Sequence, residues 1–201
     1  MLKKFLIFGL GNPEKRYLET FHNAGWQIID QLLKTESPKK IDLIKKNSKI
    51  NCLVGKISLP TCQLILTKPL SFMNFSGQPL LKALHFYQLP LEQVLILQDD
   101  ADLPLGTLRF TFNGGSGGHK GIQSILETTG RRDFHRLRLG IGRPKEKKSL
   151  KIFVLKKIPI SDKKIWQITL EKAVQGVISF CQNGPEKTAS LFNQKQDHAK
   201  S

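Results

Sequence analysis

The chain has 201 residues, 39% of them hydrophobic and 24% charged, which is enough length to bury one core without disulfide or metal staples. No apolar run approaches the ~18 residues of a membrane-spanning helix, so a helical membrane protein is excluded. A formal net charge of +16 points to a polyanionic partner.

The opening MLKKFLIFGLGNP imitates a secretory leader, with two lysines ahead of an apolar run. The run ends at Leu10, before Gly11, Asn12 and Pro13, and no small-residue cleavage site follows; it reads as a buried first strand over 5–9. Further strand-length runs, rich in Ile, Val, Leu and Phe and bounded by Gly, Pro or Asn, fall at 52–57, 63–67, 94–98, 107–112 and 136–141. Helical patterns lie between and after them at 23–33, 78–87, 122–128 and 162–181, the last carrying Ile165, Ile168, Val174, Val177 and Ile178. FLIFG and VLILQ are apolar on both faces and require helices on both sides, whereas LRFTF and RLRLGIG alternate and belong to a less buried margin. The prediction is one α/β domain over 1–201, a three-layer α/β/α sandwich with a mixed, mostly parallel central sheet. Residues 144–149 read as a charged linker and 183–201 as a polar tail.

The charge is unevenly spread. Residues 131–164 hold thirteen Lys and Arg against Asp133, Glu146 and Asp162, so this segment carries +10 of the +16. A solvated face explains any single lysine run; the concentration favours nucleic acid. Cys52, Cys62 and Cys181 are an odd number, far apart and without zinc-ligand spacing, which fits a reducing cytoplasm and no metal.

Two glycine-rich segments invite nucleotide readings that fail. Gly9-Leu10-Gly11 begins like a dinucleotide fingerprint, but Glu14 stands at the third glycine position and Pro13 intrudes. The stretch from Gly114 to Gly121 lacks the Gly-Lys-Ser/Thr of a triphosphate loop. Glycines opening a helix still offer close backbone approach and free N–H groups at its positive end. The segment therefore reads as a groove wall touching phosphate or ribose, or as a plain strand-to-helix turn.

Asn12 follows the first strand, His22 precedes a helix, Asn74 follows a strand and a Lys-Pro turn, and Asp99 ends the strand at 94–98. Polar residues just beyond strand ends of an α/β sheet converge on one crevice. A His oriented by a carboxylate is a general base for water, and two Asn side chains can orient that water and hold a carbonyl. Singly, each residue also fits a turn or cap role. There is no Gly-x-Ser-x-Gly elbow and the cysteines sit in apolar contexts, which disfavours a Ser or Cys nucleophile.

Read in order, FGLGNPEKRYLETFHNAGW, TKPLSFMNFSG, DDADLPLGTLRF, GGSGGHKG and FHRLRLGIGRP resemble bacterial peptidyl-tRNA hydrolase, and the basic linker and last helix extend the likeness over nearly the whole chain. The resemblance implies a cytoplasmic, usually monomeric esterase without metal or cofactor. Such an enzyme cuts a stalled peptide from the 3′-terminal ribose of its tRNA and returns the tRNA to translation. It implies His22 as the general base, Asp99 as its orienting partner, and Asn12 and Asn74 as residues positioning substrate and the reacting carbonyl. Tyr17, Asn23 and Met73 match positions lining the same crevice, with core packing an equal reading for Met73. Gly117, Gly118, His119 and Lys120 match the turn that meets the CCA end, and 145–160 the lid.

The chain departs from the family's pattern twice. Where the family's glycine motif carries Asn, this chain carries Lys120, a cation that cannot accept a hydrogen bond but can pair with phosphate. In the family's clamp for the tRNA 5′-phosphate, Arg138 matches the arginine, but Thr111 occupies the lysine position; Arg109, two residues earlier on the same strand face, is the expected substitute. A non-catalytic RNA-binding protein on the same scaffold is the competing expectation. A general esterase for small neutral esters would have no use for so basic a surface.

Overall fold

Strand β1 (Lys3–Gly9) turns Phe5 and Ile7 to one side of a sheet and Leu6 and Phe8 to the other, all four buried, because helices cover both faces. The computed structural model describes residues 2–35, 41–144 and 149–193. The remaining strands are β2 (Ile41–Asn47), β3 (Cys52–Ser58), β4 (Cys62–Pro69), β5 (Val94–Asp100), β6 (Leu108–Phe112) and β7 (His135–Gly140). They form one sheet in the order β2-β3-β4-β1-β5-β7-β6. The block β4-β1-β5-β7 is parallel, and β2, β3 and β6 join through antiparallel pairs at its margins.

Helices α1 (Ala24–Thr35) and α5 (Ile160–Asn183) cover one face. Ile28, Ile29 and Leu32 of the first and Trp166, Leu170 and Ala173 of the second pack in one core with Phe5, Ile7, Leu95 and Leu97. Helices α2 (Gly77–Tyr87) and α3 (Lys120–Thr129) cover the other face, where Leu80, Ala83, Ile122 and Ile125 meet Leu6, Phe8, Val94 and Ile96. The expected three-layer sandwich is therefore the fold formed. No described helix is long and apolar enough to cross a membrane.

Three elements have no counterpart among the predicted ones. β2, sequence IDLIKKN, lies at the sheet edge, paired along one side with β3; Ile44 packs against the core while Lys45 and Lys46 are exposed, so its charged composition hides it. α4 (Leu150–Val154) falls inside the expected lid. Its Phe153 ring rests on Phe21 at 5.7 Å, and the following chain is tied down where the Ile158 N–H donates to Glu19 O at 2.9 Å. Residues 145–148 of that lid lie outside the described residues.

The tail expected to be merely polar from 183 begins instead as α6 (Pro185–Phe192), with Pro185 in its first turn. Phe192 packs edge-on against Phe110 at 5.8 Å, and Thr188 is fully buried. Just beyond, the Asn193 side chain accepts from the Phe110 N–H at 2.7 Å and donates to the Phe110 carbonyl at 2.8 Å. The remainder of the tail, 194–201, lies outside the described residues.

The chain leaves β1 toward β4 and leaves β5 toward β6 and β7, so the connections part between β1 and β5. Ligand crevices of open α/β sheets form at such a point, beyond the carboxyl ends of the strands.

Candidate active site

A crevice of about 720 Å³ opens at that end of the sheet, and Asn12, His22, Asn74 and Asp99 all line it. Asp99 is the penultimate residue of β5 and is 3% exposed. His22 sits in the 3-10 turn Phe21–Asn23 that leads into α1, held in place because its neighbour Phe21 is buried edge-on against Trp166 at 5.0 Å. His22 Nδ1 lies 3.0 Å from Asp99 Oδ1 and 3.2 Å from Oδ2.

A second imidazole shares the carboxylate. His119 Nε2 is 3.0 Å from Asp99 Oδ1, while its Nδ1 accepts from the backbone N–H groups of Gly121 at 3.1 Å and Ile122 at 3.4 Å, capping α3. Protons can be placed from these contacts alone. An Nδ1 that accepts from N–H carries no hydrogen, so His119 is an Nε2–H tautomer and donates to Asp99. Burial by itself would raise the Asp99 carboxyl, but His22 and His119, by charge and by hydrogen bonding, hold it well below the usual carboxylate range. A carboxylate that stays ionised accepts from His22 Nδ1–H, which leaves the lone pair of a neutral His22 on Nε2.

His22, Asp99 and His119 also have ligand atoms within 4.8 Å of one another, a spacing a metal ion could use. The helix cap argues against that use, since His119 could ligate through Nε2 only by giving up the proton it shares with Asp99.

Asn12 is 6% exposed and its side-chain oxygen accepts from the Met73 N–H at 2.9 Å, so the amide Nδ2 is the group left for the crevice. Asn23, expected to touch substrate, is corrected by its burial: it is 0% exposed, its Oδ1 accepts from the Asn12 N–H at 2.9 Å, and its Nδ2 donates to the Asn12 carbonyl at 3.0 Å. It clamps Asn12 rather than meeting a ligand. Met73 is buried on the floor of the crevice, and Asn74 follows it on the exposed side of the 3-10 turn Met73–Phe75. A Cβ at Gly121 would come within 2.6 Å of Met73 Sδ, so any other residue here would displace the Met73 side chain.

The glycine-rich turn forms the opposite wall. Gly117 and Gly118 have φ of 56° and 80°, left-handed values that let the chain reverse into α3. Lys120 is exposed beside them and lines the crevice, whereas His119, expected at the RNA surface, turns its side chain inward to Asp99. Arg109 and Arg138 are directly opposite each other on β6 and β7, on the face that carries Thr111 and Arg136. Arg109 is exposed, and Arg138 Nε donates to Asp100 Oδ2 at 2.5 Å, so part of its charge is matched before any phosphate arrives. Tyr17 lines the entrance with Arg16 stacked on its ring at 4.7 Å. Leu150, Val154 and Leu155 of the expected lid close the remaining side with their apolar faces.

Two contacts that shape the crevice have no local signature in the sequence. Arg136, 6% exposed, donates to the Gly115 carbonyl at 2.8 Å and to the Asn113 carbonyl, bracing the glycine turn from beneath. The alternation in HRLRLG marked it as lying on the same face as Arg138, but nothing local showed its target. Its Nε and the facing Thr111 Oγ1 are buried without a partner among the described residues, so this wall keeps unused polar capacity. The other contact is the clamp by Asn23, whose partners are eleven residues away in sequence.

Comparison with known proteins follows the same lines. A family model described as Peptidyl-tRNA hydrolase matches residues 6–200. The peptidyl-tRNA hydrolase of Thermoanaerobacter sp. (strain X514) is 41% identical over 189 residues, covering 94% of this chain and 99% of that one. The chloroplastic peptidyl-tRNA hydrolase of Arabidopsis thaliana is 38% identical over 193 residues, covering 96% of this chain and 65% of its own length. Among solved structures, peptidyl-tRNA hydrolase from Acinetobacter baumannii superposes with a TM-score of 0.86 at 32% identity, covering 96% of each chain.

Proposed function

The chain belongs to the peptidyl-tRNA hydrolase family and is a hydrolase of peptidyl-tRNA, and we propose that His22 is its general base, oriented by Asp99, with Asn12 and Asn74 positioning the ester. The observation that carries this reading is the contact of His22 Nδ1 with Asp99, which leaves Nε2 free to take a proton from water. The water oxygen attacks the ester carbonyl as Nε2 receives the proton. The tetrahedral intermediate then collapses, the bond from the carbonyl carbon to the ribose 3′ oxygen breaks, and the imidazolium returns its proton to that oxygen. Asp99 keeps its negative charge throughout and stabilises the imidazolium between the two steps.

The free amide of Asn12, set by Met73 and Asn23, is the donor placed for the carbonyl oxygen, and Asn74 orients the substrate from the rim. The acceptor stem lies along the basic β6–β7 side, the CCA end crosses Gly117, Gly118 and Lys120, and the peptide enters beneath Leu150 and Val154. Tyr17 and Met73 line the peptide end, and Arg109 with Arg138 meets the 5′-phosphate. The protein works as a cytoplasmic monomer.

The test is single-turnover cleavage of N-acetyl-aminoacyl-tRNA, with free aminoacyl-tRNA as the comparison substrate. Wild type should cleave the blocked ester, and His22→Ala should lose about 10²- to 10⁴-fold in rate while keeping its tRNA affinity. A His22→Ala variant that cleaves at near the wild-type rate overturns the assignment of the base.

A further inference from the structure

We propose that His119 is a positioning residue for hydrolysis, one that fixes the Asp99 carboxylate against the first turn of α3 and thereby sets the orientation of His22. The inference rests on the reading of His22 as the base. His119 has its side chain only 8% exposed and commits both ring nitrogens, one to the helix and one to the carboxylate. It is therefore not a free surface for RNA. The two imidazoles stand 5.1 Å apart, centroid to centroid, with Asp99 Oδ1 3.0 Å from each.

The direction of the hydrogen bonds gives the residue its role. The backbone N–H groups of Gly121 and Ile122 dictate the His119 tautomer, that tautomer donates to Asp99, and a carboxylate receiving that N–H remains an acceptor for His22 Nδ1–H. The end of a helix thus determines which nitrogen of the base is free. His119 also stands between Gly118 and Lys120, so the turn assigned to the CCA end is one residue from the group that holds Asp99. The other charged groups around the crevice are Asp100 with Arg138, Asp102 with Arg143, and Arg136, Lys120 and Lys151. None of them bonds Asp99 among the described residues.

Two variants separate the cap from the positioning. An Asn oxygen falls where Nδ1 is and can still cap α3, but it carries no N–H to Asp99; a Gln nitrogen falls near Nε2 and can donate to Asp99, but it offers the helix no acceptor. His119→Asn should therefore unfold in urea close to wild type yet lose about ten- to a hundredfold in single-turnover rate. Its acid limb of rate against pH should move to higher pH, because an Asp99 deprived of one donor holds a proton on His22 more firmly. His119→Gln should lose stability, recover most of the rate and keep the wild-type acid limb. The inference is overturned if His119→Asn keeps both the wild-type rate and the wild-type limb, or if the two variants lose rate in proportion to their loss of stability. An active His22→Ala would instead overturn the assignment of the base itself, and the two failures are distinguishable.

Discussion

On the β1–β5 side of the crevice, polar side chains are buried and already committed: Asn23 to Asn12, Asn12 to Met73, and both imidazoles to Asp99. On the β6–β7 side, Arg109, Lys120 and the glycine turn stand at the surface, with Arg136 sunk beneath them. Both departures from the family's pattern, Lys120 and Thr111, fall on this second side. A buried hydrogen-bonded group cannot be exchanged without stranding its partner, whereas an exposed cation that meets phosphate can be moved along a strand or exchanged for another. Under the proposed function, the first wall holds the reaction geometry and the replaceable charges of the second hold RNA.

The sharpest way to break this contrast is Asp99→Asn. It removes the anion that orients His22 and that His119 holds in place, and single-turnover rate should fall by about 10²- to 10⁴-fold. It also has a signature in pH. The folded-state pKa of Asp99 lies below the ordinary carboxylate value, so its contribution to stability is complete above about pH 4 and is lost as pH falls further. Urea unfolding should show wild type ahead of the variant at pH 7 and the gap narrowing in acid below about pH 4.

Arg136→Met probes the buried member of the exposed wall. Loss of its bonds to Gly115 and Asn113 should cost about 1–2 kcal/mol in urea unfolding and should raise KM for peptidyl-tRNA more than it lowers kcat. Lys120→Asn should leave kcat nearly unchanged but flatten the dependence of log Kd on log salt by about 1, the release of one phosphate contact; an unchanged slope removes Lys120 from the RNA surface. The smallest effect is expected at Arg109. Removing the substrate's 5′-phosphate should weaken binding to wild type by about fivefold, the ~1 kcal/mol of an exposed ion pair, and weaken binding to Arg109→Ala much less.

The same contrast explains what the sequence could reveal. His22, Asp99, Asn12 and Asn74 were legible because strand ends in an open α/β sheet place polar residues at one known location. The sheet's centre was legible because FLIFG and VLILQ admit no other environment. Asn23 reads in the sequence as a substrate contact because its burial depends on a contact with the loop after β1, and no local pattern encodes that. His119 reads in the sequence as an RNA contact because its neighbours are glycines and a lysine; the position of Asp99 shows that the ring turns inward. β2 and α6 are hard to read because each is short and rich in polar residues and is stabilised largely by what it abuts, β3 in one case and Phe110 in the other.

The pairing of Asn193 with Phe110 has a consequence for how the molecule coexists with its own copies. β6 is the outermost strand, and its outward backbone groups are a template on which a strand from another molecule could zip. A single carboxamide occupies the N–H and C=O of Phe110, the midpoint of that five-residue strand, and α6 fills the space alongside. At the far edge, β2 presents the exposed Lys45 and Lys46, whose charges repel a like edge. A chain trimmed just ahead of Asn193 would keep every residue of the crevice and lose this guard, trading no chemistry for a tendency to polymerise.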